Sequence, residues 1–267
     1  MTLTKRPALL STRPDGERNF AIDGPGHKIL FEPHPRRFRA EIAGAVVLDT
    51  VGAHLLHESE ILPVLYVPLA DVDADVLEPS AHTTHCPFKG DASYWHVRVG
   101  DRLVENALWA YENPLPEAPW LRGFGSLYWH KADAWYEEDE RLVGHIRDPY
   151  HRVDVRRTSR GARVLARGEL VAESARPVLL FETGLPTRVY FERGDVRADL
   201  EPSEKRTVCP YKGIASYWSV EGLESAAWSY EEPLDGAGGV RGLVSFLGEG
   251  IEVELEGAGV LDTSAMV

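Results

Sequence analysis

Cys86 is the residue of this chain with the most chemistry within reach. It closes the string His82-Thr83-Thr84-His85-Cys86 and opens Pro87-Phe88-Lys89-Gly90. A histidine beside a cysteine can lower the thiol pKa and make a thiolate nucleophile. On a strand, His85 and Cys86 would point to opposite faces, so His82, across a turn, is the better placed base. His82, His85 and Cys86 are also nitrogen and sulfur donors of the kind zinc accepts. The sequence supplies neither a C-x-x-C partner nor an obvious fourth ligand, and no metal is assigned.

The residues after the cysteine suggest binding. Pro87 removes a backbone donor and Gly90 permits positive φ, so the turn can aim amides at an anion, with Lys89 adding charge. The plainer alternative is a tight turn with a solvated lysine and a small buried cysteine. Beyond it, Tyr94 to Val99 alternates with period two, placing Trp95, Val97 and Val99 on one face and Tyr94, His96 and Arg98 on the other. Trp109 and Tyr111 share a face of the returning strand. If that face meets Tyr94, the rings form a cage for a cation or a flat ligand. Plain hairpin packing is the competing reading.

All of this occurs twice. CPFKGDASYW at Cys86 to Trp95 returns as CPYKGIASYW at Cys209 to Trp218, with eight of ten letters identical. Lys212, Tyr217, Trp228 and Tyr230 therefore match Lys89, Tyr94, Trp109 and Tyr111. Flanking strings correspond as well: Leu77-Glu78-Pro79-Ser80 with Leu200-Glu201-Pro202-Ser203, and Gly44 to Thr50 with Gly168 to Ser174. Each unit covers roughly 100 residues, the size of a small domain. Expected divisions are an N-terminal arm over 1–25, a first unit over 26–145 and a second over 146–267. The histidines do not repeat, because Lys205-Arg206-Thr207-Val208 precedes Cys209.

Short alternating runs punctuated by Gly and Pro predict an all-β chain of two similar antiparallel barrels or sandwiches. Hairpins are expected at Gly100-Asp101 and Glu221-Gly222. Further strands are expected at Ala45 to Asp49, Val64 to Val67, Gly125 to Trp129 and Asp133 to Tyr136. The second copy adds Arg167 to Ala172, Val178 to Phe181, Arg188 to Phe191, Leu243 to Leu247 and Ile251 to Leu255. A helical turn is expected around Pro68 to Val72.

Composition narrows the partners. A hydrophobic fraction of 43% with 27% charged residues describes a globular chain. A formal charge of −13 argues against a nucleic-acid partner. No apolar run reaches the ~20 residues of a membrane span, and the first residues lack the apolar stretch of a secretory signal. A cytoplasmic location follows as the expectation. One cysteine per unit makes a disulfide improbable there. Gly236-Ala237-Gly238-Gly239 lacks the lysine of a phosphate loop, and no cofactor is expected.

The string from Leu77 through Trp95, with Glu105 to Tyr111 and Asp133 to Glu138, resembles the bacterial family of domains of unknown function 427. The second copy resembles it through Asp148 to Asp154, Leu179 to Gly184 and the Cys209 motif. Departures are Phe88, where the family usually has tyrosine, and the loss in copy two of the pair Tyr128-Trp129. The resemblance implies a compact β domain, commonly in tandem, without a settled activity. A nucleotidyltransferase label sometimes attached to that family implies paired metal-binding carboxylates after a Gly-Ser turn. Asp71-Val72-Asp73 has the spacing without the turn, and the second copy has Arg197 in place of Asp73.

The expectation is thus a tandem protein whose units pack as a pseudo-dimer and bind a small anionic or aromatic metabolite beside the Cys-Pro-x-Lys-Gly loop. Two alternatives stand beside it: an enzyme using Cys86 with His82 or His85, and a structural or partner-binding scaffold.

Overall fold

The computed structural model describes Asn19 and residues 24–263. The arm expected over 1–25 lies almost entirely outside the described residues. Contacts divide the chain between Ile146 and Arg147, and among the described residues each unit carries eleven strands.

The first unit opens with β1 (Ile29–Pro33), β2 (Phe38–Ile42), β3 (Ala45–Thr50) and β4 (His54–Glu58). It continues through β5 (Val64–Pro68), β6 (Leu77–Cys86), β7 (Gly90–Val99) and β8 (Arg102–Ala110). It ends with β9 (Phe124–Leu127), β10 (Ala134–Glu137) and β11 (Glu140–Arg141). The second unit repeats this as β12 (Val153–Arg157), β13 (Ala162–Ala166), β14 (Glu169–Ser174) and β15 (Val178–Glu182). Then come β16 (Arg188–Tyr190), β17 (Glu201–Cys209), β18 (Gly213–Val220) and β19 (Leu223–Ser229). The last three are β20 (Val244–Phe246), β21 (Ile251–Leu255) and β22 (Gly259–Leu261).

In the first unit a seven-stranded sheet, β1-β4-β5-β9-β8-β7-β6, faces a four-stranded sheet, β11-β10-β2-β3. The second unit has the four-stranded order β14-β13-β21-β22 and two pieces, β12-β15-β16 and β17-β18-β19-β20. Paired backbone bonds between Phe191 and Val244, at 2.8 and 2.9 Å, join those pieces in the order of the first unit. The units are all-β and sandwich-like, and neither closes into a barrel.

Alternation along the strands gives each large sheet two buried faces. Leu55, Leu65, Val67, Val97 and Leu108 point between the sheets and join Phe38, Ile42, Leu48 and Trp135 in one core. Their neighbours Leu56, Tyr66, Tyr94 and Trp109 point outward into a second layer, roofed by Ala118, Trp120 and Leu121. The second unit divides in the same way, with Leu179, Val189 and Ala227 inward. Leu180, Tyr190, Tyr217 and Trp228 lie outward beneath Ala237 and Val240.

The two hairpins turn at Gly100-Asp101 and Glu221-Gly222, and a 3-10 turn covers Leu69–Asp71. Some strand ends differ from expectation. Trp129 belongs to a 3-10 turn rather than a strand, and Arg167-Gly168 forms the β13–β14 turn at positive φ. Phe191, Leu243 and Leu247 lie just outside their strands. Register shifts fall at matching places, between Trp95 and Val97 and between Trp218 and Val220. The two large hairpins therefore present equivalent residues to equivalent layers.

Candidate functional site

The motif loop is a three-residue turn closing β6 on β7, with Cys86 opposite Gly90. Gly90 has φ +104° and Gly213 φ +103°. A Cβ there would approach the backbone of Leu115 at 3.4 Å, or of Glu232 at 3.3 Å, so the glycine serves both φ and close approach. The next segment is pinned to the loop by Leu115 N–H donating to Lys89 O at 3.0 Å and by Leu234 N–H donating to Lys212 O at 3.1 Å.

This geometry turns the lysine inward. Lys89 is buried and its ammonium meets Glu58 Oε2, at the end of β4. The other carboxylate oxygen, Oε1, meets His27 Nε2 at 2.8 Å, just before β1. The second unit builds the same trio: Lys212 on Glu182 Oε2, and His151 Nε2 3.0 Å from Glu182 Oε1. In each unit the histidine also stacks on the aromatic residue of the loop. His27 lies 3.7 Å from Phe88, and His151 lies 4.0 Å from Tyr211. Burial would raise the Glu182 carboxyl, but His151 and Lys212 outweigh it and hold it down to about 2. The lysines that the sequence offers to an anion thus already face a carboxylate.

A tyrosine floor adjoins each trio. Tyr94 sits directly opposite Trp109, and Tyr217 opposite Trp228, so the two hairpin faces do meet. Tyr66 packs edge-on to Trp109 at 6.3 Å, as Tyr190 does to Trp228 at 6.0 Å. Thr84 and Thr207 bond the hydroxyls of Tyr94 and Tyr217 at 3.0 and 2.9 Å. The Lys89 ammonium is 6.0 Å from the Tyr111 ring. These tyrosines are buried, whereas Trp95 and Trp218 keep some exposure. Burial pushes the phenols of Tyr66, Tyr111, Tyr190 and Tyr230 upward. The Tyr230 hydroxyl finds no hydrogen-bond partner among the described residues.

Cys86 and Cys209 are free, half-buried thiols, and Cys86 packs at the edge of its floor. The residues beside Cys86 turn elsewhere. His85 Nδ1 meets Asp91 at 2.6 Å on the outer surface, and the His82 ring lies 4.5 Å from Tyr94. Among the described residues no hydrogen bond joins either histidine to Cys86. No cluster of three or more His, Cys, Asp or Glu side chains is placed to hold a metal among them. Asp71 accepts from Thr50 Oγ1 and Asp73 from the amide of Asp75, so both carboxylates serve local structure. No helix among the described residues is long and apolar enough to cross a membrane.

A family model for a domain of unknown function, DUF427, matches twice, over residues 30–138 and 154–257. The chain belongs to the DUF427 family. No curated protein matches it. Both matches take in their unit's glutamate and lysine but begin after its histidine.

What separates the two DUF427 units is the covering of the tyrosine floor. In the first, Phe31 stacks on His54 at 4.6 Å and on Trp120 at 5.1 Å, and Phe124 meets His54 edge-on at 4.8 Å. Tyr128 tilts against Trp109 at 4.3 Å, with the Lys131 ammonium 5.0 Å above its ring. Burial, with help from Tyr94, pushes the Tyr128 phenol up to about 12. All these rings are only partly buried. The matching residues of the second unit are Val155, Val178, Gly239, Leu243 and Leu247, and Trp228 beneath them is 0% exposed. An open groove of about 800 Å³ in the second unit, walled by Arg163, Glu173, Glu254 and Val260, shares no residue with either motif.

The His–Glu–Lys trio was not legible as a unit in the sequence. Its members stand 31 residues apart in the first copy, and 31 and 30 in the second. The available signal was alignment of the copies: His27 matches His151 just as Glu58 matches Glu182.

Proposed function

We propose that the first unit binds a small, flat, π-rich molecule on its aromatic sheet face beside the Cys86 loop, and that the second unit is its structural counterpart. The observation that carries this is the exchange of five residues at matched positions. Phe31, His54, Trp120, Phe124 and Tyr128 give way to Val155, Val178, Gly239, Leu243 and Leu247. Aliphatic side chains lie over the matching floor of the second unit, where Trp228 is 0% exposed although a groove of about 340 Å³ opens beside Val155, Val178 and Gly239, so covering the floor does not require rings. Partly exposed rings instead offer faces and edges that hold a flat ligand, adding ~0.5–1.5 kcal/mol per aromatic pair beyond area burial.

In this reading Trp109 and Tyr128 stack with the ligand, and Tyr94 and Tyr111 support them from below. Lys89 positions the loop through Glu58, while Lys131 offers a cation at the rim. Lys212, Tyr217, Trp228 and Tyr230 hold the second unit's floor and loop together. A screen of small aromatic metabolites by thermal shift tests the proposal. A binder should stabilise the wild type, lose its effect on Tyr128→Leu combined with Trp109→Ala, and keep it on Trp228→Phe. The reading fails if no aromatic compound shifts the wild type, or if the double variant responds equally.

A further inference from the structure

His27 occupies a seat that has the makings of a binding site of its own. Phe88, 43% exposed, supplies a flat floor, and the His27 ring lies on it with planes 10° from parallel. Glu58, buried and held on its far oxygen by Lys89, presents Oε1 to the edge of that ring. The requirements are a flat ring, of imidazole or pyrimidine size, with a polar hydrogen at its edge. These residues are distinct from the aromatic face described above.

The second unit has the same seat with its occupant fastened. There the Asp148 amide donates to the Tyr211 hydroxyl at 2.7 Å, and Arg147 Nε donates to Pro210 O at 2.8 Å. Phe88 has no hydroxyl, so the first bond cannot form in the first unit. The backbone before β1 is attached by Lys28 N–H donating to Ser59 Oγ at 2.9 Å and Ser59 N–H donating to Lys28 O at 3.0 Å, a pair the second unit also has between Arg152 and Thr183. The side-chain exposures agree: 22% for His27 against 4% for His151.

We propose that the seat of the first unit is a ligand site for a planar N–H donor ring, such as an imidazole or aminopyrimidine, which displaces His27, stacks on Phe88 and donates to Glu58. The exchange is close to even, because one stacked ring and one charge-assisted hydrogen bond replace another. Tethering gives His27 an effective concentration of the order of millimolar. A ring making only these two contacts competes at about that level, and one with additional contacts competes below it.

The probe is 4-methylimidazole added to the intact protein, with histidine ring signals followed by NMR. The His27 signals should move saturably from their stacked to their solvent positions at roughly millimolar probe, while those of His151 stay in place over the same range. In parallel, His27→Ala should melt below the wild type and recover its midpoint with 4-methylimidazole. Thiophene, flat but lacking an N–H, should not restore it, and adding Phe88→Ala should abolish the recovery. If His27→Ala does not fold alone, its refolding yield with and without the probe gives the same comparison. The proposal is overturned if the His27 signals remain fixed at roughly a hundredfold above the tethering level. It also falls if thiophene restores His27→Ala as well as the imidazole does.

Discussion

Among the described residues the two units have the same eleven strands and the same His–Glu–Lys trio, yet the floor tryptophan is fully buried in one and only partly buried in the other. His27–Glu58–Lys89 and His151–Glu182–Lys212 agree in partners and in the ring beneath the histidine. The roof over the tyrosines does not agree, being aromatic in one unit and aliphatic in the other, with partial exposure in both. A feature present in both copies answers a demand of the fold that both share. Here the loop must be held against β4 and the strand before it. A feature present in only one copy cannot be such a demand, since the other copy folds without it. Under the proposed reading, the lysines belong to the architecture and the aromatic roof is the candidate for binding.

The largest test of that division removes a lysine. Lys89→Met and Lys212→Met each strand a buried glutamate, and each should cost about 3–5 kcal/mol in chemical denaturation. Losses of similar size are expected if both trios are architectural; a nearly neutral Lys89→Met would break the comparison. Trp228→Ala comes next, at about 3–5 kcal/mol for a fully buried ring. Its counterpart Trp109→Ala, already partly in water, should cost about 1–3 kcal/mol. Equal losses there would mean that the two floor tryptophans are equally covered.

Acid gives a more specific effect of comparable size. Glu182 falls from an ordinary 4.5 to about 2 in the folded chain. Between those values the unfolded chain binds more protons than the folded one. The contribution of Glu182 is therefore complete above about pH 4.5 and is lost as pH falls toward 2. Its size is on the order of 3 kcal/mol. Glu182→Gln should lower stability at neutral pH and flatten this acid limb, measured as the denaturation midpoint against pH.

Much of the fold was legible because repetition and alternation are local signals. The paired decapeptides, the two hairpin turns and strands such as Ile251–Leu255 stand in the text of the chain. β6 escaped notice for a physical reason: as a mostly exposed edge strand, Leu77–Cys86 has no apolar face to alternate. β4 escaped because both of its faces are buried, so His54-Leu55-Leu56-His57-Glu58 shows no period. Burial on both sides also hid the sense of the motif hairpin. Alternation separates Tyr94 from Trp95 without saying that the tyrosine lies deeper. The lysine stood out in the motif, but its partners lie about thirty and sixty residues upstream, joined to it only by strand order.

The smallest expected effect bears on the difference in the loops. Tyr211→Phe removes the acceptor of the Asp148 amide and should cost about 1 kcal/mol. It should also bring the His151 ring signals closer to the behaviour expected of His27. Phe88→Tyr is the reciprocal change. Gly24 stands where the second unit has Asp148, so by that alignment the new hydroxyl is expected to accept from the Gly24 amide. If the missing hydroxyl is what leaves His27 displaceable, Phe88→Tyr should raise stability by up to about 1 kcal/mol. It should also slow hydrogen exchange at Gly24 and raise the concentration of 4-methylimidazole needed to move the His27 ring. A variant that leaves all three unchanged would trace the looser seat to the backbone before β1. The Arg147–Pro210 bond would then be the fastening that matters in the second unit.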